Sequence, residues 1–218
     1  MREAEVLPVQ DEQRDTEPGR DTEPGRRPGR PRSERAERAI LDAALELFTE
    51  SGVAGVCMEA VAARAGVGKA TIYRRWPGKE DLLLDALSSL KSPIPEPAGE
   101  SVRDDLVAML KVMCQDASDP ARMRRYSLLL GEGKKYPKVM ERYKATVVEP
   151  RRDLLRSVLR RGVANGELRP DLDVEVALFM LTGAIMAPGR EPETFTPEHA
   201  ERLVDEALLG LAPCPPTI

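Results

Sequence analysis

Between Ser33 and Gly210 the apolar residues of this 218-residue chain recur at spacings of three and four, and no segment alternates long enough for a strand. That period restricts the fold more than any other feature, because a one-sided apolar stripe is buried only when helix packs on helix. Ile40, Leu41, Ala44, Leu45 and Phe48 set the first stripe, on a helix expected from about Glu34 to Ser51, with Ser33 as N-cap and Gly52 as left-handed stop. Met58, Val61, Ala62 and Ala65 mark a second, short helix stopped by Gly66. Ile72 and Trp76, four apart, mark a third from about Lys69 to Trp76, and Leu82, Leu83, Ala86, Leu87 and Leu90 a fourth from Lys79. Ser92 to Gly99 holds three prolines, so no helix passes through it and a domain boundary is expected there. Further helices are expected over Val102 to Ala117, Ala121 to Glu132, Pro137 to Gly162, Asp173 to Ala187 and Pro197 to Gly210, with a kink at Pro150. The expectation is an all-α protein of about nine helices.

Residues 1–32 carry only Met1, Ala4, Val6, Leu7 and Val9 as apolar side chains and contain a tandem repeat, Asp15-Thr16-Glu17-Pro18-Gly19-Arg20 then Asp21-Thr22-Glu23-Pro24-Gly25-Arg26. Such a composition buries too little surface to offset its ordering entropy and reads as a disordered arm. The expected organisation is this arm over 1–32, a first helical unit over 33–92 and a second over 100–212.

Composition removes whole classes of function. The longest apolar run, Val176 to Leu181, is far short of the roughly 18–20 residues that span a bilayer, and the N-terminus lacks the apolar core of a secretion signal. A cytoplasmic protein with no membrane partner is expected. Cys57, Cys114 and Cys214 are scattered and His199 is the single histidine, which leaves little material for a disulfide framework, a metal site or a histidine-driven triad. No metal, cofactor or enzymatic activity is expected.

Charge is unevenly distributed: residues 1–25 are net -5, residues 26–80 net +4 and residues 81–218 net -3. The one basic block coincides with the first helical unit, and nucleic-acid binding needs a local basic footprint rather than a basic average. Within that block Ala62, Gly66 and Ile72 have the spacing of a helix-turn-helix, with a small residue where two helices touch, a glycine in the turn and an apolar anchor on the second helix. Short helices in ordinary helical cores share this spacing.

The run Ala60-Val61-Ala62-Ala63-Arg64-Ala65-Gly66-Val67-Gly68-Lys69-Ala70-Thr71-Ile72-Tyr73-Arg74-Arg75-Trp76-Pro77-Gly78-Lys79-Glu80-Asp81-Leu82-Leu83 resembles the helix-turn-helix of the TetR family of bacterial regulators. Ala43-Ala44, Leu47-Phe48 and Gly52 match as well, so the likeness covers about 55 residues, Ser33 to Leu87. It implies a DNA-binding unit followed by a helical bundle that binds a small molecule and dimerises. Lys69, Ala70, Thr71 and Arg74 or Arg75 would meet base edges in the major groove. Tyr73 and Lys79 match the family's phosphate-contacting tyrosine and lysine, and Gly68 would let the backbone approach the DNA. Cys57, Ala60 and Gly68 depart from the family's usual residues, and a thiol at position 57 caps weakly. Arg26-Arg27-Pro28-Gly29-Arg30-Pro31-Arg32 resembles an AT-hook core, which would lay Arg27, Arg30 and Arg32 along a minor groove.

The second unit is read from residue types. Met109, Met113, Met123, Met140, Met180 and Met186, with Tyr126 and Tyr143, are candidates for a pocket taking an apolar or amphipathic effector, or for filling core gaps. Leu178, Leu181 and Ile185, then Leu203, Ala207, Leu208 and Leu211, form stripes available to a homodimer interface or to the intramolecular core. The resulting reading is a homodimeric, ligand-responsive repressor of a palindromic double-stranded operator. Its rivals are a small-molecule-binding helical dimer without DNA reading, an enzyme, for which the sequence shows no catalytic constellation, and an architectural DNA binder using the arm alone.

Overall fold

A computed structural model describes residues 30–186 and 196–211. Its elements are α1 (Arg30–Gly55), α2 (Met58–Ala65), α3 (Lys69–Tyr73), α4 (Lys79–Ser88), α5 (Val102–Ser118), α6 (Pro120–Glu132), α7 (Pro137–Tyr143), a π-helical turn (Lys144–Val148), α8 (Glu149–Asn165), α9 (Val174–Met186) and α10 (Pro197–Leu211). From α7 through the π turn to α8 the helix is continuous, so the described residues form nine helical rods and no strand, as the periodicity predicts.

The first rod departs from expectation at its start. α1 begins at Arg30, with Pro31 in the first turn where a missing N–H leaves nothing unpaired. Ser33 is therefore inside the helix and is not its cap, and Arg30 and Arg32 belong to helix rather than to an extended AT-hook-like strand. Arg27 and the remainder of the expected arm lie outside the described residues. Gly52 does interrupt α1, at φ 64°, and a short helical piece follows it to Gly55. A side chain at Gly52 would be strained by that φ and would also meet the Glu132 carboxylate.

Two apolar cores organise the chain. The first gathers Ile40, Ala44 and Phe48 of α1, Val61 of α2, Ile72 of α3 and Leu82, Leu83 and Leu87 of α4. It also takes Leu129 from α6 and Val139, Met140 and Tyr143 from α7. The second joins Leu106, Met109 and Leu110 of α5 to Leu155 and Leu159 of α8, Leu178 and Leu181 of α9 and Val204 of α10. Helices after the proline stretch thus feed both cores, which places α6 and α7 between them.

Polar contacts fix the same joints. Glu132 at the end of α6 accepts from the Val53 N–H at 3.1 Å, Arg125 donates to Thr49 Oγ1 at 3.2 Å, and Arg142 pairs with Asp81 at 2.6 Å. In the second core Asp105 is buried, paired with Arg161 at 2.6 Å and bonded to the amides of Ala98 and Gly99. Burial works against its charge, but Arg161 and those amides more than compensate and hold its pKa below the ordinary aspartate value.

Pro150 sits just after the π turn. Lacking an N–H, it cannot close an α-helical bond to the carbonyl four residues back, and the neighbouring Glu149 N–H instead reaches Lys144 O, five residues back. The expected kink is realised as a wider turn of helix.

Candidate nucleic-acid interface and effector cavity

The turn between α2 and α3 is made by Gly66, left-handed at φ 65° and ψ 32°. Its N–H and that of Val67 bond back to Ala63 O and Ala62 O, which satisfies the end of α2. α3 has only five residues, too few to be stable alone, so its position is owed to packing. Ile72 is fully buried and Trp76, just beyond, is nearly so. The Trp76 indole N–H donates to Asp85 of α4 at 2.7 Å. This bond, which spacing alone does not reveal, ties the end of α3 to α4; a carboxylate nine residues past a buried tryptophan is the available signal.

With Ile72 and Trp76 turned inward, the opposite face of α3 is presented to solvent. Gly68, Lys69, Ala70, Tyr73 and Arg74 are exposed and Thr71 is half-buried. Lys69 Nζ is 2.9 Å from Glu59 of α2, and this pairing raises its pKa. The two Arg side chains diverge: Arg74 is exposed, whereas Arg75 folds back to an ion pair with Glu37 of α1. Lys79, at the start of α4, is half-buried with its ammonium 3.5 Å from Val53 O. Cys57 stands at the N-cap of α2 in extended conformation and makes no capping hydrogen bond, in line with the weak cap expected of a thiol.

A cavity of about 250 Å³ opens between the two cores. Of the residues singled out in the sequence, Met113, Tyr126, Tyr143 and Met186 line it. Met109 is fully buried in the second core, Met123 is packed against that core, Met140 is buried in the first core, and Met180 is 54% exposed. Burial pushes the Tyr143 hydroxyl up to about 12, so it is protonated and available as a donor. Lys91, Asp116, Arg151, Arg152 and Phe179 also line the cavity. No local pattern marks these charged residues, which come from the residues after α4, from α5 and from α8.

Asp116 is the hub of the cavity's polar end. Its carboxylate accepts from the Ser92 N–H at 3.1 Å and from Ser92 Oγ at 2.7 Å, and it pairs with Arg122 and, at 3.3 Å, with Arg151. Arg151 also donates to Ser92 O at 2.5 Å. Ser92 follows α4 by four residues, so the group of side chains at the cavity also holds the chain where it leaves α4.

Of the two alternatives open for the α9 stripe, the intramolecular core is the one the structure shows. Leu178, Leu181 and Ile185 are buried in the intramolecular core, because α8 and α10 pack on that face. Leu203, Ala207 and Leu208 pack partly against the same core, while the side chain of Leu211 lies outside the described residues. On these two helices, Val176, Phe179 and Met180 of α9 and Leu209 of α10 are exposed large apolar groups. Among the described residues no helix is long and apolar enough to cross a membrane.

Comparison with known proteins agrees with this architecture. Residues 40–86 match the family model of bacterial regulatory proteins, tetR family, and residues 96–207 match the tetracyclin repressor-like C-terminal domain. The chain is 35% identical to the HTH-type transcriptional regulator YdeS of Bacillus subtilis, over 72% of this chain and 79% of the relative. It is 28% identical to the DNA-binding transcriptional repressor TetR of Mycobacteroides abscessus, over 83% and 95%. Among solved structures, the TetR family transcription regulator SCO0332 is 29% identical with a TM-score of 0.56, covering 83% of this chain and 99% of that one. MexZ of Pseudomonas aeruginosa shares the fold, with a TM-score of 0.63 at 23% identity, over 84% and 97%. A matched N-terminal helix-turn-helix and a matched C-terminal helical domain together establish that this chain belongs to the TetR family of bacterial DNA-binding transcriptional regulators, proteins that act without enzymatic chemistry.

Proposed function

We propose that the protein is a homodimeric repressor that binds a palindromic operator and is released when a small molecule enters the cavity beside Asp116. The observation that carries this reading is the division of α3 into a buried face, Ile72 with neighbouring Trp76, and an exposed face of Gly68, Lys69, Ala70, Tyr73 and Arg74. Lys69 and Arg74 offer donors for guanine, and Ala70 and Thr71 offer methyl groups for thymine. Lys69 must first exchange Glu59 for a base or a phosphate. Tyr73 and Lys79 contact phosphates and set register. Arg75, committed to Glu37, orients α3 from behind.

Two recognition helices must reach half-sites roughly 34–36 Å apart. Val176, Phe179 and Met180 of α9, with Leu209 of α10, supply the apolar face for the second copy. Ligand-linked release follows if occupancy alters the Asp116, Arg151 and Ser92 contacts and hence the position of α4, to which Trp76 ties α3. A cytoplasmic location follows from this role.

Selection of bound sequences from random duplex DNA by the purified protein tests the reading. A palindrome with one helical turn between half-site centres is expected. Recovery of no enriched motif would overturn it in favour of a helical dimer that binds small molecules without reading DNA.

A further inference from the structure

We propose that the effector is an amphipathic carboxylate, an organic acid with a compact apolar body, an inference that rests on the ligand-responsive reading above. The cavity walls are mainly apolar, with Met113, Tyr143, Val147, Leu155 and Phe179 among them, and its polar end carries three cations, Lys91, Arg151 and Arg152, against one carboxylate, Asp116. Arg151 is paired with Asp116 and Arg152 with Glu149 at 3.1 Å. Lys91 has no ion pair among the described residues; its ammonium rests 5.2 Å from the centroid of the Tyr126 ring. Burial lowers the Lys91 pKa, and Arg151 and Arg122 add to the effect against the pull of Asp116. A desolvated cation facing apolar walls is the group that gains most from an incoming negative charge.

The other ligand classes fit less well. Asp116 already accepts from Ser92, Arg122 and Arg151, so its oxygens are not open to an ammonium ligand. A neutral apolar ligand would seal Lys91 from water without a counter-charge, which disfavours its binding. At about 30 Å³ per water-sized group, the 250 Å³ cavity accommodates a body of about eight such groups. A carboxylate seated on Lys91 also stands next to Arg151, where it competes with Asp116 for the guanidinium that holds Ser92.

Calorimetric titration of the full chain with octanoate, 1-octanol and octylamine tests the inference. Octanoate is expected to bind at least about tenfold more tightly than 1-octanol, and octylamine not measurably. In Lys91→Met, whose side chain has similar length, octanoate affinity should fall and 1-octanol affinity should rise, so that the preference for octanoate is lost; Lys91→Arg should keep the preference. Equal or tighter binding of 1-octanol or octylamine, no octanoate binding at about 1 mM, or an undiminished preference in Lys91→Met would each overturn it. Operator binding by the same preparation is measured without any probe. Specific DNA binding with no octanoate binding would sink the carboxylate inference alone. Octanoate binding that depends on Lys91 but leaves DNA bound would uphold the carboxylate site and sink the release mechanism.

Discussion

Around the first core the polar side chains of the candidate DNA-facing surface point outward from one short helix and its flanks, whereas at the cavity between the two cores they converge inward from three separate places in the chain. Gly68 to Arg74 occupy seven consecutive residues. Lys91, Asp116 and Arg151 are brought to one cavity from positions far apart in sequence. Under the proposed function the contrast reflects two recognition problems. DNA is long and rigid, so a surface that reads it can be laid along a single element; a small molecule must be enclosed, so its site is assembled from several.

The largest test of this contrast is Ile72→Ala. Truncating this fully buried side chain should cost about 2–5 kcal/mol and abolish operator binding, measured by denaturant unfolding and DNA titration. Because α6 and α7 belong to the first core while their neighbours fill the second, loss of cavity-ligand affinity should accompany the loss of stability. A variant that unfolds its first unit and keeps full ligand affinity would show the two regions to be independent.

Asp116→Ala comes next. It releases Ser92 and leaves Arg122 and Arg151 without their shared carboxylate, at a cost of about 1–3 kcal/mol. Operator affinity should change without any altered group on α3, and the ligand-induced change in DNA affinity should shrink. Unaltered coupling would remove Asp116 from the path between cavity and α4.

On the DNA side the expected effects are smaller. Lys79→Ala should weaken binding to all sequences and lower the slope of log affinity against log salt by about one unit. Lys69→Ala should instead relax preference at one position per half-site, read from selected sequences. An unchanged slope would leave Lys79 with only its contact to Val53, and an unchanged motif would leave Lys69 as the partner of Glu59.

The smallest effect concerns acid stability. Asp105 has a depressed pKa in the fold, so the stability it contributes is present above the ordinary aspartate pKa and lost as pH falls through the lower, folded value. Thermal unfolding of the wild type should therefore weaken below about pH 4, and Asp105→Asn should flatten that part of the profile. Identical profiles would show that Arg161 and the Ala98 and Gly99 amides do not favour the charged form.

What could be read in advance follows the same division. Gly66, Ile72 and Trp76 act through neighbours within a few residues, so their roles were legible as spacing. The start of α1 was misjudged because Pro31 suits a first helical turn as well as an extended arm. On α9 the periodicity located a stripe but could not say that α8 and α10 cover Leu178 and Leu181, leaving Phe179 and Met180 outside. Nothing near Asp116 in sequence announces Ser92 or Arg151, since that cluster exists only once α5 and α8 are packed.

The π turn before Pro150 has one more effect. Tyr143, Val147, Arg151 and Leu155 all face the cavity and are spaced by four. In an ideal α-helix residues four apart drift by about 40° per step, so the last would lie about 120° from the first. The wider turn at Lys144–Val148 takes back much of that drift and keeps the four in phase. It works as a phase corrector: a plain α-helix of the same length would set Tyr143 and Leu155 about 120° apart around the rod.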